Sequence, residues 1–100
     1  MYNLSKYHEQ IKRLCSAHGV KSLFAFGSVL TDRFGPESDI DLLVDISTSD
    51  PIQYAENYFL LKDEFERLFN RKVDLLETRA LSNPYLKLQI EKTQVLLYGG

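Results

Sequence analysis

The segment from Phe24 to Val44, FAFGSVLTDRFGPESDIDLLV, constrains this chain more than any other part of it. It reads as an apolar strand closing on Gly27-Ser28, a polar connection, and a second apolar strand that carries Asp39 and Asp41. Side chains alternate along a strand, so Asp39 and Asp41 share a face, one pleat apart. Two uncompensated carboxylates at that spacing repel each other. A cation between them removes that cost, and hard oxygen donors of this kind suit Mg²⁺ together with substrate phosphates. Gly27 and Ser28, both small, let backbone N–H groups approach an anion where the chain leaves the first strand. A phosphate-approach turn beside a carboxylate pair is the apparatus of nucleotide chemistry.

Around this segment the pattern predicts alternating helices and strands. Leu4, Tyr7, Ile11, Leu14 and His18 recur at helical spacing, which predicts a helix from about Asn3 to Ala17 that Gly19 stops. Lys21 to Phe26 reads as a buried strand, VLTDRF as one or two helical turns, and GPES as a turn. In the second strand, Asp39 to Ile46, the residues Ile40, Leu42, Val44 and Ile46 face the core, and Asp39, Asp41, Leu43 and Asp45 face away. Asp50-Pro51 opens a long helix through Tyr54, Tyr58, Leu61, Phe65 and Leu68, which Asn70 ends. Lys72 to Glu77 is a third strand presenting Asp74, and Asn83-Pro84 starts a last helix with Leu86 and Ile90 buried. The tail QVLLY fits either an edge strand or an extended segment.

Bulk properties exclude several classes. One hundred residues make one small domain, and 44% hydrophobic with 26% charged residues is ordinary for a globular protein. A net charge of −2 argues against a default nucleic-acid binder, which would carry a basic stripe. The lone Cys15 has no internal disulfide partner and suggests a reducing compartment. No apolar run approaches the roughly 20 residues that span a bilayer, which argues against a membrane protein. The polar start MYNLSKYHEQ lacks the apolar core of a signal peptide, so a cytoplasmic location is expected. His8 and His18 lack a third ligand at zinc spacing and read as surface or cap residues, and Cys15 as packing beside Ile11. Six Tyr and six Phe exceed what so small a core must hide, so part of the stripe Tyr54, Tyr58, Phe59, Phe65 and Phe69 could serve a partner; a homo-oligomer stays open.

Gly27-Ser28, ten intervening residues, Asp39-Ile40-Asp41 and the later strand residue Asp74 together resemble the signature of the nucleotidyltransferase superfamily that includes DNA polymerase beta. Within it, the short length resembles the minimal nucleotidyltransferases, the MNT-domain proteins often encoded beside a HEPN-domain partner. The resemblance covers most of the chain. It implies one minimal nucleotidyltransferase domain over residues 1–100, of α+β class, with a small mixed β-sheet packed with helices in the order α-β-α-β-α-β-α. It implies that Asp39, Asp41 and Asp74 form the catalytic and metal set and hold two Mg²⁺ ions, with Asp74 also activating the attacking hydroxyl. It further implies that Gly27 and Ser28 contact the triphosphate. Many relatives place Arg directly after Ser28 and Gly three residues later, whereas this chain has Val29 and Asp32. Arg33 is the candidate replacement, weighed against a solvated surface charge, while Arg71 and Lys72 read as flanking a strand start.

The activity implied is Mg²⁺-dependent transfer of a nucleoside monophosphate, foremost AMP from ATP, to a hydroxyl. A chain of this size leaves no room for an acceptor-holding domain, so a separate protein brings the acceptor. The resemblance suggests a HEPN-type helical toxin with an adenylylated tyrosine, this chain being the antitoxin of a toxin–antitoxin pair. Two other readings stand beside it. One is an antitoxin acting by steric contact, its nucleotide site vestigial; the absent Arg favours it and the intact carboxylates weigh against it. The other is a small-molecule nucleotidyltransferase whose acceptor pocket needs a partner subunit or a homodimer.

Overall fold

Local capping chemistry sets the ends of the helices. The computed structural model describes residues 3–31 and 33–99. A 3₁₀ turn, Leu4–Tyr7, leads into α1 (His8–Ala17), so the first predicted turn is tighter than an α-helix. The Asn3 side chain accepts the Ser5 N–H there. Ile11 and Cys15, one turn apart, form the buried stripe of α1. Gly19, at φ +67°, turns the chain into β1 (Val20–Phe26). His18 is the C-cap rather than a helical residue, and its ring lies 3.2 Å from the Asn57 side-chain oxygen.

Between the first two strands the described residues hold a 3₁₀ turn, Gly27–Leu30, where one or two helical turns over VLTDRF were expected. Its N-cap is Phe26, without a side-chain cap bond, and the Ser28 carbonyl accepts both the Thr31 N–H and the Thr31 hydroxyl at 2.9 Å. Asp32 lies outside the described residues. Arg71 donates to the Gly35 and Ser38 carbonyls and stacks its guanidinium 4.4 Å from the centre of the Phe34 ring. This arginine organises the 34–38 turn that delivers the chain to β2 (Ile40–Ile46).

In α2 (Pro51–Phe69), an Asp50 carboxylate oxygen accepts the Ile52 N–H at 3.0 Å, and Pro51 takes the first helical position. Asn70 closes the helix in the left-handed region at φ 52°. Glu66 accepts the Val73 N–H at 2.9 Å, which ties the end of α2 to the start of β3 (Val73–Glu77). Asn83 caps α3 (Pro84–Thr93) by accepting the Tyr85 and Leu86 N–H groups. The tail forms β4 (Val95–Gly99), resolving the alternative that the sequence left open.

The four strands form one mixed sheet in the order β3-β2-β1-β4. Neighbours β1 and β2 are antiparallel, as are β1 and β4, whereas β2 and β3 are parallel and joined through α2. This is an α+β domain with a mixed sheet, and a fourth strand is added to the predicted order. Leu23, Ala25, Ile40, Leu42, Val44 and Ile46 project from one face and are fully buried against Ile11, Cys15, Leu61 and Phe65. Truncating Phe65 there would cost about 3–5 kcal/mol.

The opposite face differs from its prediction in two places. Leu43 is buried although it points away from the main core, as is Ile90 of α3, and both lie outside the principal cluster. Leu86, expected inside, is 43% exposed, because α3 buries Ile90 alone. Of the aromatic stripe, Phe65 and Phe69 are buried, Tyr54 and Tyr58 half-buried, and Phe59 faces solvent. Among the described residues no helix is long and apolar enough to cross a membrane.

Candidate active site

The site begins with strand register. Asp41 pairs with Phe26 of β1 on one side and with Asp74 of β3 on the other. Residues directly opposite in a sheet project from the same face. The carboxylates of Asp41 and Asp74 therefore stand side by side on the face away from the principal core, with the Phe26 ring flanking Asp41. Asp39 lies one residue before β2 and completes the acidic group from the strand entrance.

Environment sets the charge of Asp41. Its pKa rises from 3.8 to about 6, first because half-burial beside apolar neighbours disfavours the anion, then through repulsion from Asp74 and from Asp39. The raised value thus reflects burial first and the two neighbouring carboxylates second.

Gly27 supplies the second half of the site. Its φ of +77° is readily open only to glycine, and a Cβ built there would collide with Asp41 Oδ2. The turn thus brings bare backbone against the Asp41 carboxylate. Gly27 and Ser28 also line a pocket of about 560 Å³, whose other walls are Leu30, Thr31, Arg33 and Thr93. Carboxylates and pocket meet at Gly27.

The donor set fits Mg²⁺ chemically, since it consists of carboxylate oxygens whose mutual repulsion a divalent cation would relieve. Among the described residues no group of three or more His, Cys, Asp or Glu side chains is gathered closely enough to hold a metal ion as arranged.

The remaining singled-out residues have structural partners. Burial pushes the Cys15 thiol up to about 12, away from any nucleophilic role. Arg71 is engaged by the 34–38 turn, as its place beside a strand start suggested. Arg79, which the sequence did not single out, donates to the Ile46 carbonyl at 2.8 Å, lies 3.7 Å from Asp45 and stacks on Tyr54. The Tyr58 hydroxyl donates to the Leu75 carbonyl at 2.6 Å, which fastens α2 to the strand that carries Asp74. The sequence placed Tyr58 in the aromatic stripe of α2 and Arg79 just past β3, and neither position signalled the backbone carbonyl it would bind.

A small mixed sheet with paired strand aspartates beside a glycine turn defines a nucleotidyltransferase core. The family model for the polymerase beta nucleotidyltransferase domain matches residues 9–100, so the chain belongs to that family. A Methanocaldococcus jannaschii protein, provisionally named a protein adenylyltransferase, is 32% identical over 96 residues, covering 92% of this chain and 95% of that one. A solved structure provisionally described as a minimal nucleotidyltransferase superposes with a TM-score of 0.76 at 29% identity, over 92% of this chain and 90% of that one. A toxin–antitoxin crystal structure with AMP-PNP superposes with a TM-score of 0.70 at 25% identity, over 93% of this chain and 73% of that one.

Proposed function

We propose that residues 1–100 act as one minimal nucleotidyltransferase domain that transfers AMP from ATP to a hydroxyl on a partner protein. The observation that carries this is the Asp41–Asp74 pairing with Gly27 backed against Asp41. The chemistry follows from those positions. Gly27 and Ser28 line the pocket that takes the triphosphate. Asp74 accepts the proton of the acceptor hydroxyl, whose oxygen bonds to the α-phosphorus as the bond to the bridging oxygen breaks and pyrophosphate leaves. Asp39, Asp41 and Asp74 would hold Mg²⁺, two ions in all, which supplies charge neutralisation and lowers the acidity barrier of the hydroxyl.

AMP as the transferred group is supported by the adenylyltransferase name of the M. jannaschii relative and by AMP-PNP in the toxin–antitoxin structure. The same two likenesses support a protein acceptor and a role as antitoxin. The partner in this reading is a HEPN-type helical toxin, modified on a tyrosine hydroxyl in the cytoplasm. A second reading, a steric antitoxin with a vestigial site, is favoured by one observation: Val29, where many relatives carry Arg, is 1% exposed and belongs to the core.

Incubation with labelled ATP and Mg²⁺, with and without a candidate HEPN-domain partner protein, tests both. Label on that protein is the expected result. Label nowhere favours the steric antitoxin. Label on a small hydroxyl compound makes the chain a small-molecule nucleotidyltransferase.

A further inference from the structure

Directly after Ser28 stands Val29, an apolar residue that cannot offset phosphate charge. Val29 is 1% exposed, packs in the hydrophobic core and is not part of the lining of the Gly27–Ser28 pocket, so that position is committed to packing. A guanidinium there would be buried without a counterion, at a cost of several kcal/mol. Any cation that offsets the phosphates must come from elsewhere in the fold.

Three arginines are close enough in sequence to the site's elements to be considered. Arg71 is spent on the Gly35 and Ser38 carbonyls and the Phe34 ring. Arg79 is spent on the Ile46 carbonyl, Asp45 and the Tyr54 ring. Arg33 differs from both. It lines the same pocket as Gly27 and Ser28, and it is the one charged residue among the described residues of that wall. Its backbone N–H is fixed on the Thr31 hydroxyl at 3.2 Å, and that hydroxyl in turn donates to the Ser28 carbonyl at 2.9 Å. Arg33 is thus tied through Thr31 to the glycine-serine turn, while the residue itself is exposed at the pocket wall.

Resting on the nucleotidyltransferase reading above, the geometry points to Arg33 as the triphosphate-binding residue of this chain, selecting nucleoside triphosphate over monophosphate. Arginine suits the task, because its planar fork donates two parallel hydrogen bonds to phosphate oxygens.

Titration calorimetry of the full chain with ATP and with AMP, in Mg²⁺, tests the assignment. Arg33→Ala should weaken ATP binding about tenfold or more, the scale of losing a charge-assisted hydrogen bond, and leave AMP binding unchanged. Arg33→Lys should retain part of the preference for ATP. Lys92→Ala, which removes the charge next in sequence to Thr93 of the pocket wall, should leave both affinities unchanged. The assignment is overturned if Arg33→Ala binds ATP like the wild type, or loses ATP and AMP by the same factor. It is also overturned if Lys92→Ala alone erases the preference. A wild type that binds no nucleotide overturns the underlying reading and this assignment with it.

Discussion

Gly27 and Asp41 share a space that admits only one side chain. The Gly27 backbone, at φ +77°, leaves room for Asp41 Oδ2 where any Cβ would lie. Gly27→Ala therefore meets two penalties, left-handed strain of about 1–2 kcal/mol and a clash that must rotate the Asp41 carboxylate. Gly19→Ala meets only the first, since nothing lies within 4 Å of a Cβ at Gly19, φ +67°. Both variants should melt below the wild type. Only Gly27→Ala should also lose nucleotidyl transfer, and full turnover by that variant would refute the shared-space account.

Removing charge from the acidic group should separate function from stability. Asp74→Asn removes the proton acceptor and should lower transfer by about 10²–10⁴-fold. Asp41→Asn should abolish transfer while the metal-free protein melts at or slightly above the wild-type temperature, because it removes both the cost of burying the anion and its repulsion from Asp74 and Asp39, the causes of the raised Asp41 pKa. A marked loss of apo stability in Asp41→Asn would mean that the carboxylate is held for packing, not chemistry.

The same carboxylate gives stability a pH dependence. Its folded pKa, about 6, lies above the ordinary 3.8, so the folded chain binds the extra proton between those values. Stability in EDTA is then greatest near and below the lower value and falls as pH rises towards 6. After discounting for partial solvent screening, the fall is about 1–2 kcal/mol. Melts of wild type and Asp41→Asn across this range should diverge, the variant lacking this component. Parallel curves would assign the slope to other groups.

Ligand should restore what the acidic cluster takes away. Mg²⁺-ATP at 100 times its Kd should stabilise the wild type by about 2.7 kcal/mol through mass action, and Asp41→Asn by much less. An equal upshift in both would place the nucleotide away from Asp41. A wild type indifferent to Mg²⁺-ATP would favour the steric antitoxin.

Much of this was legible in the chain because it depends on local rules. The helix starts at Asp50-Pro51 and Asn83-Pro84 follow from capping, and the ends at Gly19 and Asn70 from left-handed backbone; strand alternation was read from Asp39, whereas the strand itself begins at Ile40. What the sequence could not decide concerns residues brought together from distant segments. The register that sets Asp41 opposite Asp74 depends on a parallel pairing reached only after α2 crosses the sheet. The burial of Val29 and Leu43, the exposure of Leu86, and the addition of QVLLY as β4 depend on which faces the assembled sheet covers. The choice among three arginines was likewise tertiary: a charge in a loop looks the same in sequence whether it braces carbonyls, as Arg71 does, or lines a pocket, as Arg33 does. Periodicity and capping act over a few residues, so the sequence carries them openly; register, burial and charge pairing act across the sheet, and exist only once it has formed.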